Sequence, residues 1–267
     1  GDYTYYLKQE NTGYITEEKK ITIKRDTTAP GGEITIGTNR FNSILNGITF
    51  GLFFKDSVNA TITAEDNGTA GAQSGNCTIE YQKVQEGASY DANGTWTAYD
   101  SSKGISIPAN DAFVIYARIT DEAGNHTVIN SNGAVVYTDS VITPAIVKYT
   151  YGEHADRTLQ ITLNGNTFAR LTDVKDNTIS ADNYTLDGTG KLTLKASYLD
   201  TLQAGEYGYK IYMNPLGKET DQVTLVYNLT VKVEKLPIEP SGGSGAGGGS
   251  GAGSGSETGS GSGTGTE

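Results

Sequence analysis

The sequence is short of the residues from which active sites and covalent staples are usually built: it has one cysteine, one tryptophan, one methionine and two histidines. A lone cysteine excludes an intrachain disulfide. Within CTIEYQ, Cys77 alternates in phase with Ile79 and Tyr81, the pattern of a small apolar group on the inner face of a strand. His126 in AGNHT and His154 in YGEHAD each lie in a polar turn, with no second histidine at metal-ligand spacing and no nucleophile motif nearby. The expectation is that the chain is not an enzyme. Basic residues are outnumbered as well: 20 Lys and Arg against 31 Asp and Glu leave a net charge of -11, which repels a polyanion and excludes nucleic acid as a partner. No run approaches the roughly 18 apolar residues of a membrane span, and no membrane contact is expected.

What the sequence has in quantity is tyrosine, 17 against 6 phenylalanines, together with many threonines, a mixture that suits half-buried pleated surfaces. Strand signals recur at roughly 8 to 12 residues, separated by Gly, Asn and Asp clusters, so the expected class is all-β. In VNATITAE one face carries Val58, Ala60, Ile62 and Ala64. In AFVIYARIT the apolar face is Phe113, Ile115, Ala117 and Ile119, with Tyr116 and Arg118 on a wet face. GITFGLFF is apolar almost throughout and predicts a central strand. Further on, Leu159, Ile161 and Leu163 share a face, as do Leu225, Tyr227, Leu229, Val231 and Val233. ASYLDTLQAG is the one helical piece, with Gly205 placed to cap it.

Composition also divides the chain. In IKRDTTAPGGEI a strand-like run stops at a polar turn, Pro30 pushes Ala29 into an extended conformation, and Gly31 and Gly32 allow a sharp change of direction. VVYTDSVITP repeats that pattern. The expected division is residues 1–26, 27–140, 145–235, and a Gly/Ser-rich tail at 241–267. The tail cannot bury enough apolar surface to order itself and is expected to be a flexible tether with a reach of roughly 30 Å. The chain starts in mid-strand and without methionine, so it is expected to be a fragment.

DTTAPGGEI, ITFGLFFKDSVNATITAEDNG, SGNCTIEYQKV, WTAYD and FVIYARITDEAGNHTVINSNGAVVYTD together resemble the bacterial Ig-like repeat of large Gram-positive surface proteins. ITLNGNTF and YTLDGTGKLTLKASYLDTLQAGEY, in residues 145–234, resemble the X2-type Ig-like module. The resemblance implies tandem Ig-like antiparallel β-sandwiches in series, and the opening YTYYLKQENTGYITEEKKITIKR is similar to the closing strands of a preceding module. Neighbouring Ig-like modules would then be partners within the same chain, and the location would be extracellular, at the cell surface or in the cell wall. X2 modules are classed with carbohydrate-associated modules, so the resemblance also implies polysaccharide as a partner.

Two sets of side chains are candidates for binding. Glu65, Asp66, Asp121 and Glu122 lie in or beside loops where carboxylates could converge on Ca2+, although turn capping explains them equally well. Tyr149, Tyr151 and Tyr212 could stack on sugar faces, while Tyr207 and Tyr209 share a phase with Ile211 and Met213 and belong to the core. The function expected is a structural spacer or stalk that projects other domains from the cell wall. The alternative is a carbohydrate-binding accessory or adhesion module.

Overall fold

Apolar side chains at every second position are stabilising only when strands pair and turn that face inward, and the regular elements described in the computed structural model of the chain are almost all such strands. It describes residues 2–7, 19–43, 45, 47–68 and 73–236; the expected tether at 241–267 lies outside the described residues. Residues 1–235 belong to one compact unit.

The chain opens with β1 (Asp2–Leu7) and β2 (Lys19–Lys24), an antiparallel pair. Then follow β3 (Gly31–Ile36), β4 (Asn39–Phe41), β5 (Phe50–Lys55), β6 (Ser57–Glu65), β7 (Cys77–Gln85), β8 (Thr97–Ala98), β9 (Ile105–Pro108), β10 (Asp111–Asp121), β11 (His126–Asn130) and β12 (Gly133–Tyr137). They form one sheet in the order β4-β3-β6-β9 and a second in the order β5-β12-β10-β7-β8, with β11 also paired to β10. Ile34, Ile36, Ile62, Ile107, Phe113 and Ile115 fill the space between them. Cys77 packs against this core, and burial pushes its thiol pKa up, as suits an unreactive filler.

The second sandwich consists of β13 (Val141–Thr143), β14 (Ile146–Thr150), β15 (Arg157–Thr162), β16 (Thr167–Asp173), β17 (Tyr184–Leu186), β18 (Lys191–Leu194), the helical turn α1 (Ala196–Leu199), β19 (Gly205–Asn214) and β20 (Leu225–Glu234). One sheet runs β13-β15-β18-β17 and the other β14-β20-β19-β16. Leu159, Ile161, Leu171, Leu192, Ile211 and Val231 are fully buried between them. Each sandwich closes with one parallel pair in an otherwise antiparallel arrangement, β5 with β12 and β14 with β20. The fold is all-β and Ig-like.

Four local expectations need correction. GITFGLFF yields β5, which lies at a sheet edge rather than its centre, and its residues are only half-buried. Gly31 and Gly32 do not turn the chain but begin β3; a Cβ on Gly32 would sit 2.1 Å from Ile119 Cδ1 and 2.5 Å from the Thr63 carbonyl oxygen. These glycines therefore serve close approach between strands. The outer face of β10 is dry as well: Val114 and Tyr116 are buried because the chain between β7 and β8 folds back over them, with Tyr90 4.7 Å from Tyr116 between ring centroids. Last, α1 stops at Leu199 with Asp200 as its C-cap, and Gly205 instead starts β19.

Candidate functional site

Two places concentrate polar side chains on specific partners. The first is the connection between the sandwiches, residues 138–144. Tyr137 ends β12 yet packs into the core of the second sandwich, as does Phe53 of β5. TLNGNT supplies the opposing surface. Asn164 (φ 50°) and Gly165 (φ 80°) both take the left-handed conformation that Asn-Gly favours, and they turn the chain back toward the linker. From this turn Asn164 Nδ2 donates to the Asp139 carbonyl at 2.7 Å. Asn166, 1% exposed, donates to the Thr138 carbonyl at 2.8 Å and to Ser140 Oγ at 3.0 Å, and its Oδ1 accepts from the Leu216 backbone N–H at 3.1 Å.

From the opposite strand the Tyr227 hydroxyl accepts from the Ser140 N–H at 2.8 Å, and Ser140 Oγ donates to the Leu163 carbonyl at 2.9 Å. Burial pushes the Tyr227 phenol pKa up, so it stays neutral. On the side of the first sandwich, Lys55 reaches the Asp139 carboxylate at 2.5 Å. Lys218 pairs with Glu86 and lies 5.5 Å over the Phe50 ring. Thr138, Asp139 and Ser140 are thus each held from one side or the other. The periodicity of the sequence offered no signal for Asn164, Asn166 or Tyr227 as a joint.

The second place is a cleft of about 380 Å³ at the edge of the second sandwich. One wall is the turn after β16. Asp173 accepts there from the N–H groups of Lys175 (2.7 Å) and Asn177 (3.0 Å) and from Asn177 Nδ2 (2.8 Å). These bonds, the Asn177 side chain foremost, hold the Asp173 carboxyl below the usual carboxylate range. The other wall is α1 and the turn that follows it, with Tyr198 bonded through its hydroxyl to that of Tyr209 at 2.9 Å. Tyr207 is half-buried and exchanges hydrogen bonds of 3.1 Å with the backbone of Gln203. Val174, 60% exposed, closes over Gly208, where a Cβ would come within 2.6 Å of its Cγ1. Apolar rings beside a fixed carboxylate and an amide are the components of a sugar-sized subsite.

The tyrosines singled out from the sequence do not assemble. Tyr149 is 1% exposed, donates its hydroxyl proton to Asp200 and lies under the Arg157 guanidinium. Tyr212 has Arg170 stacked 3.8 Å from its ring centre and donates to Asp176 at 2.6 Å, so one face of its ring is already covered. Tyr151 is 48% exposed at the turn after β14, which is separated from Tyr212 on β19 by β20. Tyr209 is buried with Ile211 and Met213, as its phase predicted, whereas Tyr207, expected in the core on the same phase, is half-buried and lines the cleft. Sequence reading missed the pairing of Tyr198 and Tyr207 with Asp173 and Asn177, because the two walls are far apart in the chain.

Of the four acids considered for Ca2+, Asp66 and Asp121 come together, joined by Asp26 from the DTTAP segment, with carboxylate oxygens within 4.8 Å of one another. Glu65 is exposed outside this group, and Glu122 accepts instead from Asn76 Nδ2 at 3.3 Å. Each of the three clustered carboxylates already accepts hydrogen bonds. Asp26 takes the N–H groups of Thr28 and Ser74, Asp66 those of Gly68 and Gly75, and Asp121 the backbone and side-chain amides of Asn125. That is the chemistry of carboxylates that clamp loops.

Residues 142–223 match the family model described as Carbohydrate binding domain X2. No curated protein matches the chain. Among solved structures it is similar to a tri-modular GH5 (subfamily 4) endo-β-1,4-glucanase from Bacillus licheniformis, at 15% identity over 75% of this chain and 38% of that one, with a TM-score of 0.35. The full-length tri-modular endo-β-1,4-glucanase B of Bacillus halodurans gives 21% identity over 37% of this chain and 18% of that one, with a TM-score of 0.29. The N-terminal four Ig domains of Dscam1 isoform 6.9 give 12% identity over 88% of this chain and 54% of that one, with a TM-score of 0.40. The chain therefore carries, on an all-β Ig-like framework, a segment similar to the Carbohydrate binding domain X2.

Proposed function

We propose that the chain is a non-catalytic spacer in an extracellular, multimodular protein of the cell surface or cell wall, and that its two sandwiches, residues 27–140 and 145–235, hold other domains at a fixed distance. The observation that carries this reading is the joint, where Asn164, Asn166 and Tyr227 bond to Thr138, Asp139 and Ser140. A linker with three backbone groups bonded by one neighbour, and with its flanking aromatic residue buried in that neighbour, has little freedom to bend. The test is the distance distribution between spin labels at Ser101→Cys and Ala181→Cys in a Cys77→Ser background. A single narrow distribution is expected; a broad or multiple one would overturn the reading.

A second reading, contact with polysaccharide, is favoured by the cleft of Tyr198, Tyr207, Asp173 and Asn177, which lies within the segment matching Carbohydrate binding domain X2. Retention on insoluble cellulose and on isolated Gram-positive cell walls should be lost in Tyr207→Ala and kept in Tyr207→Phe, which preserves the ring. Absence of retention of the unaltered chain on either material would remove this reading and leave the spacer.

A further inference from the structure

A spacer between a wall and its cargo would be loaded in tension, so the topology of the strands through which the chain enters and leaves each sandwich matters. In the second sandwich those strands are β14 and β20, and they are hydrogen-bonded neighbours running in the same direction. Their register is Ile146↔Thr230, Val147↔Val231, Lys148↔Lys232, Tyr149↔Val233 and Thr150↔Glu234. The ladder is closed at one end by Thr230 N–H to the Ala145 carbonyl at 2.9 Å, and at the other by Tyr151 N–H to the Glu234 carbonyl at 2.8 Å. Tension enters at Ala145 and leaves past Glu234, which are opposite ends of this ladder. The two strands are therefore pulled past each other along their length, and every bond between them is strained at once.

We infer that the β14–β20 pair is a shear clamp that makes the second sandwich resist extension along the chain far more than its equilibrium stability implies. Peeling would break the same bonds one after another, at a lower force for each. Resistance to forced opening is a matter of unfolding rate under load, so two directions of pull on one fold need not agree. Alternate residues of β14, Val147 and Tyr149, are buried in the core, so sliding also drags an aromatic ring out of its packing. The first sandwich also holds a parallel pair, but the chain enters it through β3 in the opposite sheet, so tension does not load that pair directly. There β5 and β12 are parallel neighbours closed by Gly133 N–H to the Thr49 carbonyl at 3.0 Å and Asp56 N–H to the Tyr137 carbonyl at 2.7 Å, with β3 ahead of them in the chain.

This inference rests on the spacer reading for its use in the cell, while the clamp itself rests on the strand register. The test is single-molecule force spectroscopy on the full chain in a Cys77→Ser background. In one arm the chain is held by its two ends; in the other it is held by its C-terminal end and by Tyr151→Cys, which lies beside Glu234 at the same end of the ladder. The contour length released identifies which sandwich opens. The expected result is a rupture force for the second sandwich several-fold higher in the end-to-end arm at the same loading rate. Equal forces, or a higher force in the Tyr151→Cys arm, would overturn the clamp without touching the spacer. Conversely, a broad distance distribution between the spin labels would remove the spacer while the difference between pulling directions stands.

Discussion

The Asn166 side-chain amide donates to the Thr138 carbonyl at 2.8 Å, so a residue of the second sandwich satisfies a backbone group just past the last strand of the first. Asn166→Ala would strand that carbonyl together with the Leu216 N–H that bonds to Asn166 Oδ1. Leaving these partly buried groups unsatisfied should cost about 1 to 3 kcal/mol. Urea denaturation measures that loss, and the spin-label distance should broaden in the same variant. A loss of stability with an unchanged distance would mean that Asn166 stabilises the second sandwich without setting the joint.

Acid should weaken the fold through carboxylates that cap turns. The N–H groups of Gly68 and Gly75, with Ser74, hold the Asp66 carboxyl below its ordinary range, and the Asn177 and Thr189 side chains do the same foremost for Asp173 and Asp187. For each, the folded-state value lies below the unfolded one. The stabilisation is therefore present above the unfolded pKa and is lost as pH falls through the folded value, a window that begins near about pH 4 and extends downward. The urea midpoint should decline across that window, and in Asp66→Asn it should decline less steeply.

Gly32→Ala tests close approach against conformational freedom. Because the added methyl would collide with the Thr63 carbonyl as well as with the Ile119 side chain, a loss of about 1 to 3 kcal/mol is expected. Gly188→Ala is the control: its Cβ would meet nothing within 4 Å, and the change should stay within about 0.5 kcal/mol of neutral. Thermal denaturation of the two variants side by side decides between the accounts.

The single tryptophan gives a local probe of the chain that folds over β10. Trp96 stands edge-on to Tyr90 at 6.1 Å, and the Arg118 guanidinium lies 4.6 Å from its ring centre. Removing the ring in Tyr90→Ala should uncover Tyr116 and wet Trp96, with a red shift in emission and a loss of about 1 kcal/mol. Unshifted emission would mean that the covering segment holds without its aromatic contact.

The faces of β6, β15 and β20 could be read from the sequence, because there burial alternates strictly with position and each strand has one dry side. That logic failed for Tyr116. Its outward phase is real, but a segment remote in the pattern covers it, and period-two reading cannot see a third layer. Tyr149 was legible as an available aromatic but not as a buried one, since a phenol can enter a core once its hydroxyl finds a partner such as Asp200. The joint and the cleft were illegible for a shared reason. Asn166 meets Thr138, and Tyr207 faces Asp173, only after both sheets have assembled, and neither pairing leaves a local spacing to detect.

Tyr137 belongs by sequence to the first sandwich and by packing to the second, while Ala134 and Val136, on the same strand, fill the first core. The connecting strand is therefore common property. A gene rearrangement that exchanged either sandwich for an unrelated one would leave the Tyr137 ring in water or an unfilled hole where it had been. An exchange that kept both cores filled would have to cut outside the pair.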